Sequence, residues 1–305
     1  MRALVTGSGG FVGGHLVACL RAHDDEVVTW SGETDSPDVT DAAAVTAALG
    51  GADVDVVFHL AGQSRVGHSW DIPAETLAVN AGGTANLLRG LAEVGSTARV
   101  VLMSSAEVYG FVEADAVPVV ESTPLVPRTP YGSSKIAAEQ VGLLLGERHG
   151  IDVIVCRPFN QIGPGQSPSF VTAAFAQQIA TNERDGGSEL RVGNLSATRD
   201  FLDVRDAVVA YRCLAERGVA GESYNVAAGR EVAVSVMLDG LLEQAVEPQS
   251  VVVDPDRFRP NDLPRMFGSI DKLSAATGWT PARPLQETLA DVLDDWRRRV
   301  GEEEA

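Results

Sequence analysis

The turn after the first predicted strand constrains the fold of this chain more than any other part of the sequence. Residues 2–6 (RALVT) form an apolar run that predicts a short buried strand, and residues 7–13 (GSGGFVG) follow it directly. In this GxxGxxG spacing Gly7 permits a tight turn, Gly10 lets the main chain approach a pyrophosphate, and Gly13 allows close packing of the next helix. The free N–H groups at the start of that helix face the phosphates. The pattern therefore predicts a dinucleotide-binding turn.

Apolar strand-like runs alternate with helical stretches through the first half of the chain. The predicted strands are 27–30, 54–60, 100–104 and 153–157. Such alternation is typical of an α/β fold with a doubly wound parallel sheet. The linker at 32–37 is short, so the third strand of such a sheet is expected to be minimal or missing.

After about Asn160 the pattern changes to loops rich in Gly, Pro and Arg, with helices predicted near 170–180, 205–217 and 234–246. We expect a Rossmann domain over residues 1–160, with returning segments near 200–228, and a smaller α/β substrate-binding lobe formed mainly by residues 161–305.

Composition excludes several functional classes. The net charge of −18, from 24 basic and 42 acidic residues, argues against nucleic acid and anionic membranes as partners. No apolar run approaches the length of a membrane span, and the first strand begins too early for a signal peptide, so a cytoplasmic protein is expected. Cys19, Cys156 and Cys213 lack CxxC pairing and read as buried thiols, and the five histidines are scattered, so no metal site is expected.

Tyr131 and Lys135 lie one helical turn apart in the run PYGSSK at 130–135. A lysine at this spacing holds a positive charge beside the phenol, which favours the phenolate and lets tyrosine exchange a proton at neutral pH. Ser105 follows the predicted strand 100–104, and ligands of such sheets bind beyond the carboxyl ends of the strands. Ser105, Tyr131 and Lys135 are therefore the predicted catalytic residues, suited to ketone and alcohol chemistry.

Several further motifs accompany these residues. They are TGSGGFVG at 6–13, HLAG at 59–62, Asn80 with Gly83 and Thr84, SSAEVYG at 104–110, PYGSSK at 130–135 and RPFNQIGPGQ at 157–166. Together they make the chain resemble, over essentially its whole length, the extended short-chain dehydrogenase/reductase family that acts on nucleotide-sugars.

The resemblance implies a nicotinamide cofactor, with Lys135 also bonding the nicotinamide ribose and Asp38 and Val39 lying near adenine. The cofactor-binding residues that it implies are Gly7, Gly10, Phe11, Val12, Gly13, Asp38, Val39, Leu60, Ala61, Asn80, Ser104, Tyr131, Lys135 and Pro158. For His59 we favour a structural role at the sheet edge.

The carboxyl-terminal lobe resembles that of the GDP-mannose branch of the family. Arg199 and Arg259 are then expected to hold the diphosphate, Asn160 to bond a phosphate and Asp262 to meet the nucleotide ribose. An arginine fork matches phosphate oxygens and neutralises charge that an acidic protein would repel. The full set of expected substrate-binding residues is Ser105, Glu107, Asn160, Val171, Asn194, Arg199, Arg259 and Asp262.

The resemblance implies NADPH- or NADH-dependent reduction of the C4 ketone of a GDP-4-keto-6-deoxy-hexose (GDP-6-deoxy-D-lyxo-4-hexulose), giving GDP-rhamnose or its C4 epimer. A 4,6-dehydratase needs a further acid and base, which fall at Ala106 and Glu107. Alanine cannot protonate a leaving hydroxyl, although Glu107 can still act as a base or orient a substrate hydroxyl. A nucleotide-sugar 4-epimerase or 4,6-dehydratase with bound NAD is thus the alternative, and a noncatalytic dinucleotide sensor is a third.

Cofactor choice and assembly stay open at this level. An acidic residue after the second strand bonds the ribose 2′-OH of NAD, and an arginine there accommodates the 2′-phosphate of NADP. The run WSGE at 30–33 offers neither at the expected place. The resemblance also implies a homodimer formed through helices that include the one carrying Tyr131, with a GDP-sugar as the small-molecule partner.

Overall fold

The computed structural model describes residues 1–32, 36–113, 116–258 and 265–302. Its strands are β1 (Arg2–Thr6), β2 (Glu26–Trp30), β3 (Val56–His59), β4 (Arg99–Met103), β5 (Val153–Pro158), β6 (Asn160–Ile162), β7 (Glu189–Val192), β8 (Thr198–Arg199), β9 (Phe201–Asp203), β10 (Ser223–Val226), β11 (Val232–Ala233), β12 (Ser250–Val253) and β13 (Arg265–Met266).

The helices alternate with these strands. They are α1 (Phe11–Ala22), α2 (Ala42–Leu49), α3 (Pro73–Leu77), α4 (Gly83–Glu93), α5 (Pro130–His149), α6 (Val171–Asp185), α7 (Val204–Arg217), α8 (Val234–Leu242), α9 (Asp271–Thr277) and α10 (Leu285–Glu302). Short 3₁₀ turns cover Gly67–Trp70, Ala106–Val108 and Pro255–Arg257, and a π-helical turn, Ala78–Gly82, joins α3 to α4.

Six strands form one parallel sheet in the order β10-β5-β4-β3-β1-β2. This arrangement confirms the predicted α/β fold with a doubly wound parallel sheet. Within the described part of the chain β2 is the outer strand on its side, as the short 32–37 linker predicts. All carboxyl ends of the strands point to one edge, where a ligand can reach several loops at once.

Both faces of the sheet are covered by helices, and each face has its own apolar core. On one face Leu16 of α1 and Tyr211 of α7 are fully buried against the strands. Trp279, just after α9, packs in this core at 6% exposure. On the other face Val45 of α2 and Leu88 of α4 are fully buried.

A separate apolar core holds the second lobe together. Helices α6, α8 and α10 pack with β7 around buried residues such as Ile179, Met237 and Leu289. The predicted helices near 170–180, 205–217 and 234–246 correspond to α6, α7 and α8, although α6 runs on to Asp185, before Gly186 at φ +74°.

Helix α5 places the central motif, and its ends follow from local sequence. The Thr129 side chain accepts a hydrogen bond from the Gly132 N–H at 2.9 Å, and Pro130 occupies the first helical position. The helix ends at Gly150, whose φ of +70° suits a residue without a side chain. Tyr131 therefore lies in the first turn, at the carboxyl edge of the sheet.

The three cysteines differ in their burial. Cys156 is buried, Cys19 and Cys213 are half-buried, and all three thiols are free. Across the described ranges no helix is both long enough and apolar enough to pass through a bilayer. The same residues contain no grouping of three or more metal-ligating side chains.

We expect Leu289→Ala to destabilise the protein by about 2–5 kcal/mol, because it removes a fully enclosed side chain and leaves a cavity. Leu289 is 1% exposed, and its Cδ1 lies 2.6 Å from the position a Cβ would take at Gly240. Urea unfolding measures the change. Val246→Ala, at a residue that is 74% exposed, is the matched control and should leave the unfolding midpoint unchanged. Equal midpoints for the two variants would contradict this packing.

Candidate active site

The turn between β1 and α1 has the close approaches that its glycines predict. Gly7 adopts φ +69°, and a Cβ there would lie 2.8 Å from the Ala61 nitrogen. A Cβ on Gly13 would lie 2.2 Å from the Gly7 carbonyl oxygen, so a side chain at either position would displace the main chain. Helix α1 begins at Phe11 without a side-chain cap, which leaves its first N–H groups available to an anion. These features fit a dinucleotide diphosphate.

Hydrogen bonds of the Thr6 hydroxyl join the end of β3 to the end of β1, next to this turn. The Thr6 hydroxyl accepts a hydrogen bond from the Ala61 N–H at 3.0 Å and lies 2.9 Å from Nδ1 of His59. Burial, together with the charge of Lys135, lowers the pKa of His59 to about 3. His59 is therefore a neutral, buried group. A neutral, buried imidazole is consistent with the structural role that we favour for His59. The hydrogen bond between Ala61 and Thr6 places Leu60 and Ala61 against the glycine turn.

Asn80 lies in the π-helical turn between α3 and α4 and is 2% exposed. Its Oδ1 accepts from the Gln63 N–H at 2.9 Å, and its Nδ2 donates to the Ser134 hydroxyl at 2.8 Å. A Cβ on Gly62 would lie 2.7 Å from Asn80 Oδ1 and 3.6 Å from Lys135 Nζ, which places the amide close to the lysine. Turns of this type often mark functional sites. Asn80 thus joins the loop after β3 to the helix that carries the catalytic motif.

Ser105, Glu107 and Tyr131 converge at the end of β4. Ser105 precedes the 3₁₀ turn Ala106–Val108, and its hydroxyl accepts from the Glu107 N–H at 3.2 Å. Burial raises the pKa of Tyr131 to about 12, a hydrogen bond with Ser105 acts in the opposite direction, and the negative charge of Glu107 adds to the rise. The phenol is therefore protonated at neutral pH, next to a hydroxyl and a carboxylate.

Lys135 brings a positive charge into the same region. Its Nζ donates to the Met103 carbonyl at 2.8 Å and lies 5.9 Å from the centre of the Tyr131 ring. Burial lowers the pKa of Lys135 to about 8, and the Glu139 carboxylate partly opposes that effect. Sequence spacing alone predicts the pairing of Tyr131 with Lys135, and the structure places both side chains on the buried side of α5.

Two residues that the sequence does not single out surround the catalytic motif. Ser69, fully buried in the turn Gly67–Trp70, accepts a hydrogen bond from the Tyr131 N–H at 3.2 Å. Glu139 forms an ion pair with Arg157 at 2.7 Å, and both side chains are buried. The four-residue spacing of Lys135 and Glu139 is the one signal in the sequence that points to Glu139, whereas Ser69 has no local signal.

Ser104 differs from the other expected cofactor residues in how it is engaged. Its hydroxyl bonds the Glu139 carboxylate, and its N–H donates to the Cys156 carbonyl at 2.7 Å. Both groups are therefore committed to protein partners. Contact between Ser104 and the cofactor stays a prediction.

The residues expected near adenine and nicotinamide lie on two further loops. The Asp38 carboxylate accepts from the Thr40 N–H and hydroxyl, both at 2.8 Å, which holds its pKa below the usual range. The Val39 carbonyl accepts from Asn86 of α4 at 3.0 Å. Pro158 ends β5 on the same sheet edge as Ser104. Glu33, the acidic residue of the run WSGE after the second strand, lies outside the described residues.

Four of the expected substrate residues lie at or after residue 160, within the described ranges. Asn160 donates through Nδ2 to the Asp200 carbonyl at 3.0 Å, and Arg199 donates through Nη1 to the Thr198 carbonyl at 2.7 Å. Asn194 accepts from the Ser196 N–H at 3.0 Å, and Val171 is the first residue of α6. Arg259 and Asp262, the two other expected substrate residues of this part of the chain, lie outside the described residues.

The arrangement is suited to one kind of chemistry. A protonated phenol, a serine hydroxyl and a lysine ammonium surround a point beside a loop that fits a dinucleotide. These groups can hydrogen-bond a carbonyl oxygen and give a proton to the alkoxide that forms there. The site is therefore equipped for the interconversion of a ketone and an alcohol.

Comparison with known proteins gives a consistent result. The family model for GDP-mannose 4,6-dehydratase matches residues 33–292. The chain is 39% identical, over 99% of both sequences, to GDP-6-deoxy-D-mannose reductase of Pseudomonas aeruginosa. Among solved structures, RMD from Pseudomonas aeruginosa complexed with NADPH has a TM-score of 0.92 at 37% identity, covering 98% of this chain and 100% of that one.

A more distant relative has the same fold. The UDP-glucose 4-epimerase of Thermotoga maritima, solved with UDP-glucose, has a TM-score of 0.89 at 25% identity and covers 98% of this chain and 100% of that one. The family match, the relatives and the parallel-sheet fold lead to one conclusion. The chain belongs to the GDP-mannose 4,6-dehydratase family of extended short-chain dehydrogenases/reductases, a family of nucleotide-sugar oxidoreductases.

Proposed function

We propose that this protein reduces the C4 ketone of a GDP-4-keto-6-deoxy-hexose with NADPH, giving GDP-rhamnose or its C4 epimer. The observation that carries the proposal is the 39% identity, over 99% of both chains, to a GDP-6-deoxy-D-mannose reductase. The convergence of Ser105, Tyr131 and Lys135 supports it, because these three residues are suited to ketone reduction. A GDP-sugar is then the small-molecule partner.

The three catalytic residues have separate tasks. Ser105 donates a hydrogen bond to the C4 carbonyl oxygen and so polarises the ketone. Tyr131 is protonated at neutral pH and gives its proton to the same oxygen as negative charge develops there. Lys135 stabilises the phenolate that remains, because an ammonium close to the ring favours the charged form. A reduced nicotinamide, when bound, supplies the hydride.

We propose that this cofactor is held by residues from several loops. Gly7, Gly10 and the first turn of α1 would hold the diphosphate. Asp38 and Val39 would lie near adenine, and Leu60, Ala61, Asn80 and Pro158 would line the remainder. We favour NADPH over NADH because the P. aeruginosa RMD structure was solved with NADPH.

Elimination chemistry is less well supported than reduction. Ala106, where a dehydratase needs an acid, is buried and has no proton to give. The Glu107 N–H donates to the Ser105 hydroxyl at 3.2 Å, and we propose that the Glu107 side chain orients a substrate hydroxyl. Epimerases and dehydratases among the relatives make a bound-NAD epimerase or dehydratase the alternative function.

The second lobe is proposed to recognise the GDP moiety through Asn160, Val171, Asn194 and Arg199, together with Arg259 and Asp262. We also propose a homodimer in the cytoplasm. Helix α5 exposes 65% of Leu144, and Val94, at the end of α4, is 36% exposed. Helices α4 and α5 pack on each other, and we propose that both take part in the contact between the two copies.

The purified protein should oxidise one NADPH for each 4-keto sugar nucleotide that it reduces. Tyr131→Phe should lower kcat by about 10²- to 10⁴-fold, since it removes the proton donor, while leaving dinucleotide binding intact. NADPH absorbance and chromatography of the sugar nucleotides measure both. Tyr224→Phe is the matched control, because this buried phenol accepts from the Val219 N–H at 3.1 Å, away from the site. Interconversion of C4 epimers without NADPH consumption would refute the reductase assignment.

Lys135 should titrate with a pKa of about 8, well below the usual value of about 10.4, because burial disfavours its charge. The chain contains two lysines, so NMR of carbon-labelled lysine side chains gives two signals, with Lys272 as the second. The reduction rate should accordingly fall as pH rises through about 8, where the ammonium loses its proton. A Lys135 signal that titrates near the usual value would contradict this description of the site.

Arg199→Met should raise KM for the GDP-sugar by about tenfold or more with little change in kcat, because a charge-assisted hydrogen bond contributes about 1.5–3 kcal/mol. Steady-state kinetics measures the effect. Arg191→Met is the control. Arg191 lies in β7, the strand that precedes β8 in the chain, and it pairs with Glu189 at 2.7 Å. If the two variants have the same KM, Arg199 does not bind the diphosphate.

A further inference from the structure

A buried ion pair between Glu139 and Arg157 lies close to the catalytic residues. Arg157 of β5 donates to both carboxylate oxygens of Glu139, at 2.9 Å through Nε and 2.7 Å through Nη2. Glu139 is 2% exposed and Arg157 is 5% exposed. Arg157 also donates to the Tyr109 hydroxyl at 3.1 Å and to the Glu121 carbonyl at 3.0 Å, so the guanidinium is fixed on two sides.

This pair is weak evidence for stability. Burial penalises both charges, and a buried ion pair often contributes no more stability than apolar side chains of the same volume. Removing one partner has a different effect, because it leaves the other charge buried without compensation. The location of the pair therefore needs an explanation other than stability.

The Glu139 carboxylate also binds the strand that ends at the site. It accepts a hydrogen bond from the hydroxyl of Ser104, which is 4% exposed and immediately precedes Ser105. One residue earlier, the Met103 carbonyl accepts from Lys135 Nζ. Two side chains of α5, Lys135 and Glu139, thus hold successive residues at the end of β4. Both contacts join α5 to the strand end that precedes Ser105.

Glu139 also lies one helical turn from Lys135, and both side chains are buried on the same face of α5. His59 of β3, which is neutral, and the Tyr131 ring also lie near the lysine. Arg157 of β5 supplies the positive charge that pairs with Glu139. The negative charge of Glu139 favours the protonated form of Lys135.

We propose that Glu139 is a positioning residue: held by Arg157, its carboxylate fixes Ser104 beside Ser105 and keeps a negative charge one helical turn behind Lys135. The part of this proposal that concerns Ser105 rests on the proposed function, whereas the part that concerns Lys135 does not. Each part has its own measurement.

Glu139→Gln should lower the pKa of Lys135 by about one unit in lysine NMR titrations, because Arg157 then acts on the ammonium without a compensating carboxylate. Asp25→Asn is the matched control. Asp25 pairs with Arg212 at 2.8 Å and has a side chain that is 2% exposed, but it lies before β2 at the amino edge of the sheet. A folded Glu139→Gln variant whose Lys135 titrates as in the unaltered protein would overturn the proposal. This test needs neither substrate nor cofactor.

Ser104→Ala tests the second contact and leaves both charges in place. We expect kcat to fall about tenfold, with KM within about twofold and the pKa of Lys135 unchanged, because the loss is one of alignment. Ser274→Ala on α9 is the control and should keep the original kcat. If Glu139→Gln does not fold, Ser104→Ala becomes the deciding test of the proposal. An unchanged kcat in that variant overturns the proposal. Failure of the proposed function would appear differently, as the absence of NADPH oxidation by the unaltered protein.

Discussion

Lys135 carries its charge into the interior of the protein, where its ammonium donates to the Met103 carbonyl and lies beside the Tyr131 ring. Burial disfavours that charge and lowers the pKa of Lys135 to about 8, while the same burial raises the pKa of Tyr131 to about 12. Burial therefore shifts the pKa values of these two neighbouring groups in opposite directions. Proton transfer from the phenol leaves a phenolate next to an ammonium, which stabilises both charges. The remainder of the site keeps these two groups together.

The sheet supplies most of that organisation. Parallel strands end at a common edge, so the glycine turn after β1, the loop after β3 and Ser105 after β4 all open toward the same point. Helix α5 crosses this edge with Tyr131 in its first turn, and Ser69 satisfies the N–H of that residue from a separate loop. Helices cover both faces of the sheet and bury an apolar core on each, and a fixed alignment of donor and acceptor favours catalysis.

Much of this could be predicted from the sequence, because the informative motifs are local. A strand that runs into GxxGxxG indicates a dinucleotide turn, and a four-residue spacing pairs Tyr131 with Lys135. The ion pair between Glu139 and Arg157 could not be predicted in this way, since its partners come from different elements and pair only after β5 packs under α5. The same holds for Ser69 and for Trp279, which packs in the same apolar core as α1 and α7. Local patterns do not record contacts that depend on how elements pack.

Reduction, epimerisation and dehydration share the catalytic residues and differ in what becomes of the hydride. The most direct test uses NADPH that carries deuterium at the transferable position of the nicotinamide, together with the GDP-4-keto-6-deoxy sugar. Mass spectrometry and NMR of the recovered nucleotide-sugar then locate the label. Our account predicts one deuterium at C4 of the product for each NADPH oxidised. Recovery of C4 epimers without deuterium at C4 would contradict it.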